Sequence, residues 1–292
     1  MTIKDNNIGV IGLGNMGRPI AEHLANGGFE VFAYDTDNEK LDTQGVWVSC
    51  KSIQEIQRSA STVLLSLPDS DAVSAVVSQL ISGSPLNEFT VIDTSTIGPQ
   101  NSASIAAALK PHKGLYLDSP VSGGVRGARA GSLSIMCAGD NTLFQAVLRF
   151  LKTFTANQFY IGPNPGQAQV MKVLNNFLSA TALAATSEAI LYGVNQGLDI
   201  QQMCDVINVS TGVNSASRDK FPNQVVTGQY DAGFTNSLML KDIELFLEGC
   251  EKSDTASVVA NTIVNQWRSF NQTEPGVDAT RIYEFTKHRV DS

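Results

Sequence analysis

Residues 8–11 read as a short apolar strand that runs directly into Gly12-Leu13-Gly14-Asn15-Met16-Gly17. Residues 16–26 then read as a helix with Ile20, Ala21 and Leu24 on one face. Glycines at that spacing between a strand and a helix leave few architectures open. Gly12 permits a tight turn, Gly14 lets the backbone approach a pyrophosphate, and Gly17 lets the helix pack close to the strand. The N–H groups and positive dipole end of the helix would then face the phosphates. The competing interpretation is a plain Gly-rich turn. Asp35, which ends the next strand pattern at 29–34 and lies 23 residues beyond Gly12, favours a dinucleotide site.

Further strand patterns at 63–67, 89–93, 115–118, 133–136 and 159–161 alternate with helical patterns at 71–81, 100–109 and 142–151. Crossovers long enough for a helix are what parallel neighbours require, so the first half is expected to be an α/β Rossmann domain with a doubly wound sheet. The cluster Gly162-Pro163-Asn164-Pro165-Gly166 ends this regime. After it come only helical patterns: one long helix at about 167–196, then 200–208, 238–251, 258–270 and 279–288. The expected domains are therefore 1–163, dinucleotide-binding, and 164–292, all-helical, joined by the long interdomain helix.

Composition narrows the function. With 42% hydrophobic and 16% charged residues the chain is expected to fold around a core rather than stay disordered. A net charge of −8 opposes binding to nucleic acid or an anionic membrane surface. Cys50, Cys137, Cys204 and Cys250 are widely spaced and only three histidines are present, so no metal site or disulfide scaffold is expected, but free thiols in a reducing cytosol. The first seven residues carry no apolar signal segment. The stretch 177–194 contains Thr181, Ser187 and Glu188 and reads as a buried helix rather than a membrane span, so a cytoplasmic protein is expected.

A carboxylate at Asp35 can accept hydrogen bonds from both ribose hydroxyls and would repel a 2′-phosphate, so NAD is expected over NADP, although Lys40 could reach such a phosphate. Leu67-Pro68 and Thr96 follow strands, where open α/β sheets bind ligands; each also suits an ordinary turn or cap. Ser122-Gly123-Gly124, at the end of the run from Asp118, is read either as a Gly-rich turn or as an anion nest suited to a carboxylate. Lys172 and Asn176 lie four apart and share a helix face, with Asn175 beside them. Without context such a lysine is a solvated side chain.

With these motifs in order, the sequence resembles the β-hydroxyacid dehydrogenase family, which includes 3-hydroxyisobutyrate dehydrogenases and tartronate semialdehyde reductases. The resemblance spans nearly the whole chain and includes Lys241-Asp242 with Phe234 upstream. It implies that Gly12, Leu13, Gly14, Asn15, Met16, Gly17, Asp35, Leu67, Pro68 and Thr96 bind the cofactor. It also implies Lys172 as catalytic acid/base, Asn176 as the group that positions substrate, and Ser122, Gly123 and Gly124 as the carboxylate site. Lys241 would line the site and help fix cofactor or substrate, with Phe234 nearby. The run Ser210–Thr211–Gly212–Val213–Asn214 departs from the Ser-Ser-Gly-Arg of relatives, and Val213 and Asn214 are expected to shape the far end of the substrate. A 3-hydroxyisobutyrate-like substrate is preferred.

Oxidation would need Lys172 neutral, hence buried and near positive charge, whereas reduction would need it protonated. An imine reductase resembles the same layout but usually lacks the lysine, and a 6-phosphogluconate dehydrogenase would need more helical chain and more basic groups. A non-catalytic dinucleotide-binding module has no need of the Lys172–Asn176 pair. The Ala-rich long helix offers more apolar surface than one neighbour needs, so a homodimer or homotetramer is expected.

Overall fold

The computed structural model describes residues 6–41, 46–83 and 88–290; the first five residues, part of the segment read above for a signal sequence, lie outside them. The chain forms two compact units, residues 1–172 and 173–292.

Among the described residues the first unit is built on nine strands: β1 (Asn7–Ile11), β2 (Glu30–Tyr34), β3 (Val48–Ser49), β4 (Thr62–Leu65), β5 (Phe89–Asp93), β6 (Gly114–Asp118), β7 (Val121–Ser122), β8 (Leu133–Ala138) and β9 (Thr155–Gly162). Their order is β3-β2-β1-β4-β5-β6-β8-β7, with β9 against the other edge of β8. From β3 to β6 every pairing is parallel. The chain moves outward from β1 to β3 and then returns to β4 on the other side of β1. That reversal opens a crevice beyond the carboxyl ends of β1 and β4, where doubly wound sheets bind ligands.

Side-chain alternation explains the two layers. Ile8 and Val10 of β1, Leu64 of β4 and Ile92 of β5 pack on one face with Ile20 and Leu24 of α1 (Gly17–Asn26) and Val147 and Phe150 of α6 (Asn141–Phe154). Ile11, Val63, Leu65 and Val91 point the other way, onto Ile56 of α2 (Ile53–Ser59), Val77 of α3 (Ser70–Ser82) and Ile105 of α4 (Pro99–Leu109). Strands covered on both faces read as continuous apolar runs, and β4 and β5 are buried at every position.

Several local features depart from the sequence pattern. Beyond β6 the sheet inverts: β8 runs antiparallel to β6 and β7 and parallel to β9. Two-residue β3 and β7 are too short to carry a period. The helices α2 and α5 (Gly124–Ala130) have seven residues each, and α5, with Val125 among glycines, alanines and arginines, has no apolar stripe.

Helix α7 (Gln167–Asn195) begins in the first unit and continues into the second. It is long and apolar enough to cross a membrane by length and composition, yet its Ala180, Leu183, Ala184, Ile190 and Leu191 form part of the second unit's core. Around them pack α8 (Ile200–Asn208), a π-helical stretch Ala216–Val225, α9 (Asn236–Lys252), α10 (Val258–Thr273) and α11 (Ile282–Val290). The fully buried Trp267, Phe270 and Phe221 fill this core. Pro222 inside the π-helical stretch removes a backbone donor, which favours the wider turn over a regular helix and hides the segment from a 3.6-residue pattern.

Candidate active site

The glycine loop follows β1. Gly12 has φ +94, and a Cβ there would come within 2.3 Å of the Ser66 carbonyl oxygen. A Cβ on Gly17 would lie 1.9 Å from the Gly12 carbonyl oxygen, so neither position accepts a side chain. Gly14 differs, because a Cβ there would meet nothing within 4 Å. The backbone at Gly14 borders open space. The next helix, α1, has no carboxylate in its first turn and its N-cap residue Met16 makes no side-chain cap, so its positive dipole end suits an anion. These residues fit a dinucleotide pyrophosphate. Asn15 lies within the same turn.

Asp35, 8% exposed, follows β2. Its carboxylate accepts hydrogen bonds from the N–H groups of Leu13 (2.7 Å) and Asp37 (2.9 Å), so it braces the glycine loop. Lys40 Nζ stands 3.8 Å from Asp35 Oδ1, and Arg18 donates to the Lys40 carbonyl at 2.7 Å.

The loops after β4 and β5 are tied together. Leu67 N–H donates to Ser95 Oγ at 3.0 Å, and Thr94 Oγ1 donates to the Leu65 carbonyl at 2.6 Å. Exposed Pro68 and half-buried Thr96 lie on these two loops. Ser122 pairs with Ser134 across the β7–β8 ladder, and Gly123 and Gly124 follow with φ +129 and +62. Two successive positive-φ residues turn the backbone sharply into α5, a conformation only glycine adopts without strain.

Lys172 lies in the second turn of α7 and is 8% exposed. One turn on, in the second unit, Asn176 is 6% exposed, and its Nδ2 donates to Asp242 Oδ2 at 2.6 Å. Asn175 Nδ2 donates to Asn176 Oδ1 at 3.2 Å. Lys241 Nζ is 3.4 Å from Asp242 Oδ1. The second unit thus holds a buried amide, a buried carboxylate and a partly exposed ammonium together. Phe234 packs against that unit's hydrophobic core. Val213 lies beside Asn214, whose side chain binds Thr186 of α7 and the N–H groups of Ala216 and Ser217.

Sequence reasoning gave no role of their own to three polar residues, although Asp242 stands in the Lys241-Asp242 motif. Gln169, Asp93 and Asp242 are 0%, 0% and 2% exposed and each is hydrogen-bonded. The available signal was position: Gln169 lies three residues before Lys172, Asp93 ends a strand that is apolar but for Thr90, and Asp242 follows Lys241. Burial pushes the Asp93 carboxyl up to about 6, against hydrogen bonds from Ser95 and Tyr116 that favour the carboxylate and reinforced by the neighbouring Asp118 charge. Burial also raises the Asp118 carboxyl above its usual range, while hydrogen bonds from Gln169 and Gly166 oppose the rise. Among the described residues no group of three or more His, Cys, Asp or Glu could hold a metal ion, and all four cysteines are buried and free.

Comparison with known proteins decides the class. Residues 7–162 match the family described as the NAD binding domain of 6-phosphogluconate dehydrogenase, and residues 166–286 match the one described as NAD-binding of NADP-dependent 3-hydroxyisobutyrate dehydrogenase. The 2-(hydroxymethyl)glutarate dehydrogenase of Eubacterium barkeri is 30% identical over 252 residues, covering 84% of this chain and 82% of the relative. The mitochondrial 3-hydroxyisobutyrate dehydrogenase of Mus musculus is 31% identical, covering 85% and 77%. The chain belongs to the β-hydroxyacid dehydrogenase family. This β-hydroxyacid dehydrogenase is an NAD-binding oxidoreductase that acts on the hydroxyl-bearing carbon of a small hydroxyacid. Mycobacterium tuberculosis 3-hydroxyisobutyrate dehydrogenase, solved with L-serine, superposes with a TM-score of 0.88 at 25% identity, covering 97% of this chain and 99% of that one. A Streptomyces aurantiacus imine reductase, at 17% identity and a TM-score of 0.66, shares the fold alone.

Proposed function

We propose that this dehydrogenase interconverts a 3-hydroxyisobutyrate-like β-hydroxyacid and its semialdehyde, with Lys172 as the acid/base and NAD preferred over NADP. The observation that carries this reading is a buried lysine one helical turn from a buried amide, Asn176, whose Nδ2 is held by Asp242. A lysine withdrawn from water, beside an amide that a carboxylate orients, suits proton transfer better than solvation. When bound, the nicotinamide ring supplies hydride acceptance in oxidation and hydride donation in reduction.

In oxidation Lys172 Nζ, unprotonated, takes the hydroxyl proton; in reduction Lys172 Nζ, protonated, gives a proton to the forming alkoxide oxygen. Asn176 orients the reacting oxygen without adding charge. Backbone N–H groups at Ser122, Gly123 and Gly124 hold the substrate carboxylate, which fixes the distance to the reacting carbon. Lys241 adds positive charge toward substrate or cofactor, Phe234, Val213 and Asn214 bound the far end of the substrate, and Leu67, Pro68 and Thr96 contact the cofactor. Residues 1–163 and 164–292 serve as the dinucleotide-binding and helical domains.

The enzyme works in the cytoplasm as a homodimer or homotetramer, without nucleic-acid or membrane partners. Leu178 and Tyr192, 61% and 71% exposed on α7, support self-association, and the net charge of −8 supports the absence of polyanionic partners.

The test is an absorbance assay with NAD(H) and NADP(H) against small β-hydroxyacids, their semialdehydes and cyclic imines, with Lys172→Ala in parallel. Turnover of a hydroxyacid that prefers NAD and falls by about 10²- to 10⁴-fold in the variant, with NADH still binding, is the expected outcome. Wild-type turnover in Lys172→Ala refutes the acid/base role, and turnover of imines alone replaces the substrate class.

A further inference from the structure

We propose that Gln169 is a positioning residue for Lys172, locking the start of α7 to the loop after β5; this rests on the acid/base reading of Lys172. The Gln169 side chain is 0% exposed and uses its full hydrogen-bonding capacity. Its Nε2 donates to the Ser95 carbonyl at 3.0 Å and to Asp118 Oδ1 at 2.7 Å. Its Oε1 accepts from the N–H groups of Ile97 at 3.0 Å and Gly98 at 3.2 Å. One amide thereby grips the backbone on both sides of Thr96. Asp118 grips the helix in return, its Oδ2 accepting from the N–H groups of Gly166 (2.9 Å) and Gln169 (3.2 Å).

Two more contacts stiffen the arrangement. A Cβ on Gly166 would lie 2.7 Å from the Pro99 carbonyl oxygen, so the helix start abuts the end of the same loop. Ser95 Oγ in turn holds Leu67 N–H, and Asp93 Oδ1 accepts from Ser95 N–H at 2.9 Å. The carboxyl-edge loops and the first turn of α7 therefore share one buried hydrogen-bonded unit. Lys172 follows three residues after Gln169, about 4.5 Å along the axis. Any slip of that turn carries Lys172 Nζ with it, and a misplacement of about 1 Å at a reacting group costs about 100-fold in rate.

The experiment is a double-mutant cycle on the full chain. Gln169→Met keeps side-chain length and removes every side-chain hydrogen bond, leaving only the backbone N–H of residue 169 on Asp118. Gln169→Glu keeps the shape and the accepted N–H groups but loses both donors and sets a carboxylate against Asp118. Maximal turnover is measured for each in the Lys172 and Lys172→Ala backgrounds, with melting temperature and NADH affinity alongside. A positioning residue lowers kcat by about 10- to 100-fold when Lys172 is present and by less than about twofold when it is absent, because the group it positions is gone. Equal losses in both backgrounds overturn the proposal, since general loosening of the fold would act without regard to Lys172. A kcat within about twofold of wild type also overturns it, as does failure of both variants to fold, which assigns the amide to stability. Unchanged turnover in Lys172→Ala alone removes the acid/base reading and this proposal with it, whereas collapse there with additive Gln169 losses removes only the proposal.

Discussion

Asp93 should make the first unit less stable as pH rises, opposite to the usual behaviour of a salt-bridged carboxylate. It is wholly buried at the end of β5, and burial raises its carboxyl from 3.8 to about 6. Between those values the folded protein holds a proton that the unfolded chain has lost, so folding is favoured at low pH and that advantage disappears as pH climbs through about 6. The full penalty above pH 7 is on the order of 3 kcal/mol, about half of it developing between pH 5 and 7.5. Asp93→Asn cannot titrate, yet its side-chain oxygen can still accept from Ser95 N–H. Any mismatch of the new amide with Tyr116 Oη, which donates to Asp93 at 3.0 Å, is a constant offset that leaves the pH slope untouched. The variant minus wild-type unfolding free energy should therefore rise by about 1–2 kcal/mol from pH 5 to pH 7.5. Urea titrations in a Trp267→Phe background isolate the reporter, because Trp47 is then the single tryptophan of the chain and lies in the same unit as Asp93. A difference that stays flat, or falls with pH, refutes the argument.

Two other substitutions separate architecture from chemistry. Gly14→Ala should fold with a near-wild-type melting temperature but lose NADH affinity, while Gly17→Ala, whose Cβ would strike the Gly12 carbonyl, should lose the fold; fluorescence titration and thermal melts distinguish them. Asn176→Asp places a second carboxylate against Asp242 in a buried site and should cost about 2–4 kcal/mol at pH 8 by denaturant unfolding, with much of the loss recovered on adding Asp242→Asn.

The parts of this protein legible in its sequence are those encoded by local spacing. A strand followed by Gly12-x-Gly14-x-x-Gly17, with Asp35 closing the next strand, specifies the βαβ unit because each glycine answers a steric demand within a few residues. The 3.6-residue period likewise puts Lys172 and Asn176 on one face of α7 whatever surrounds the helix. Alternating apolar runs specify an α/β half followed by a helical half. Short or irregular pieces escaped: β3, β7, α2 and α5 have too few residues for a period, and antiparallel β8 reads like any other strand.

What the tertiary structure decided is which polar residues leave water and with whom they pair. Gln169 meets Asp118 across 51 positions of sequence, Asn176 meets Asp242 across 66, and Tyr116 meets Asp93 across 23. In a sequence each of these amides and carboxylates looks like a solvated side chain, since glutamine, asparagine and aspartate are mostly exposed. Their burial follows only once the parallel register sets Asp93 opposite Asp118 at the ends of β5 and β6 and the start of α7 is held against that edge. Local sequence therefore determines which elements form, because backbone sterics and apolar periodicity act within a few residues. The paired buried amides and carboxylates depend on desolvation, which exists only when distant segments have packed.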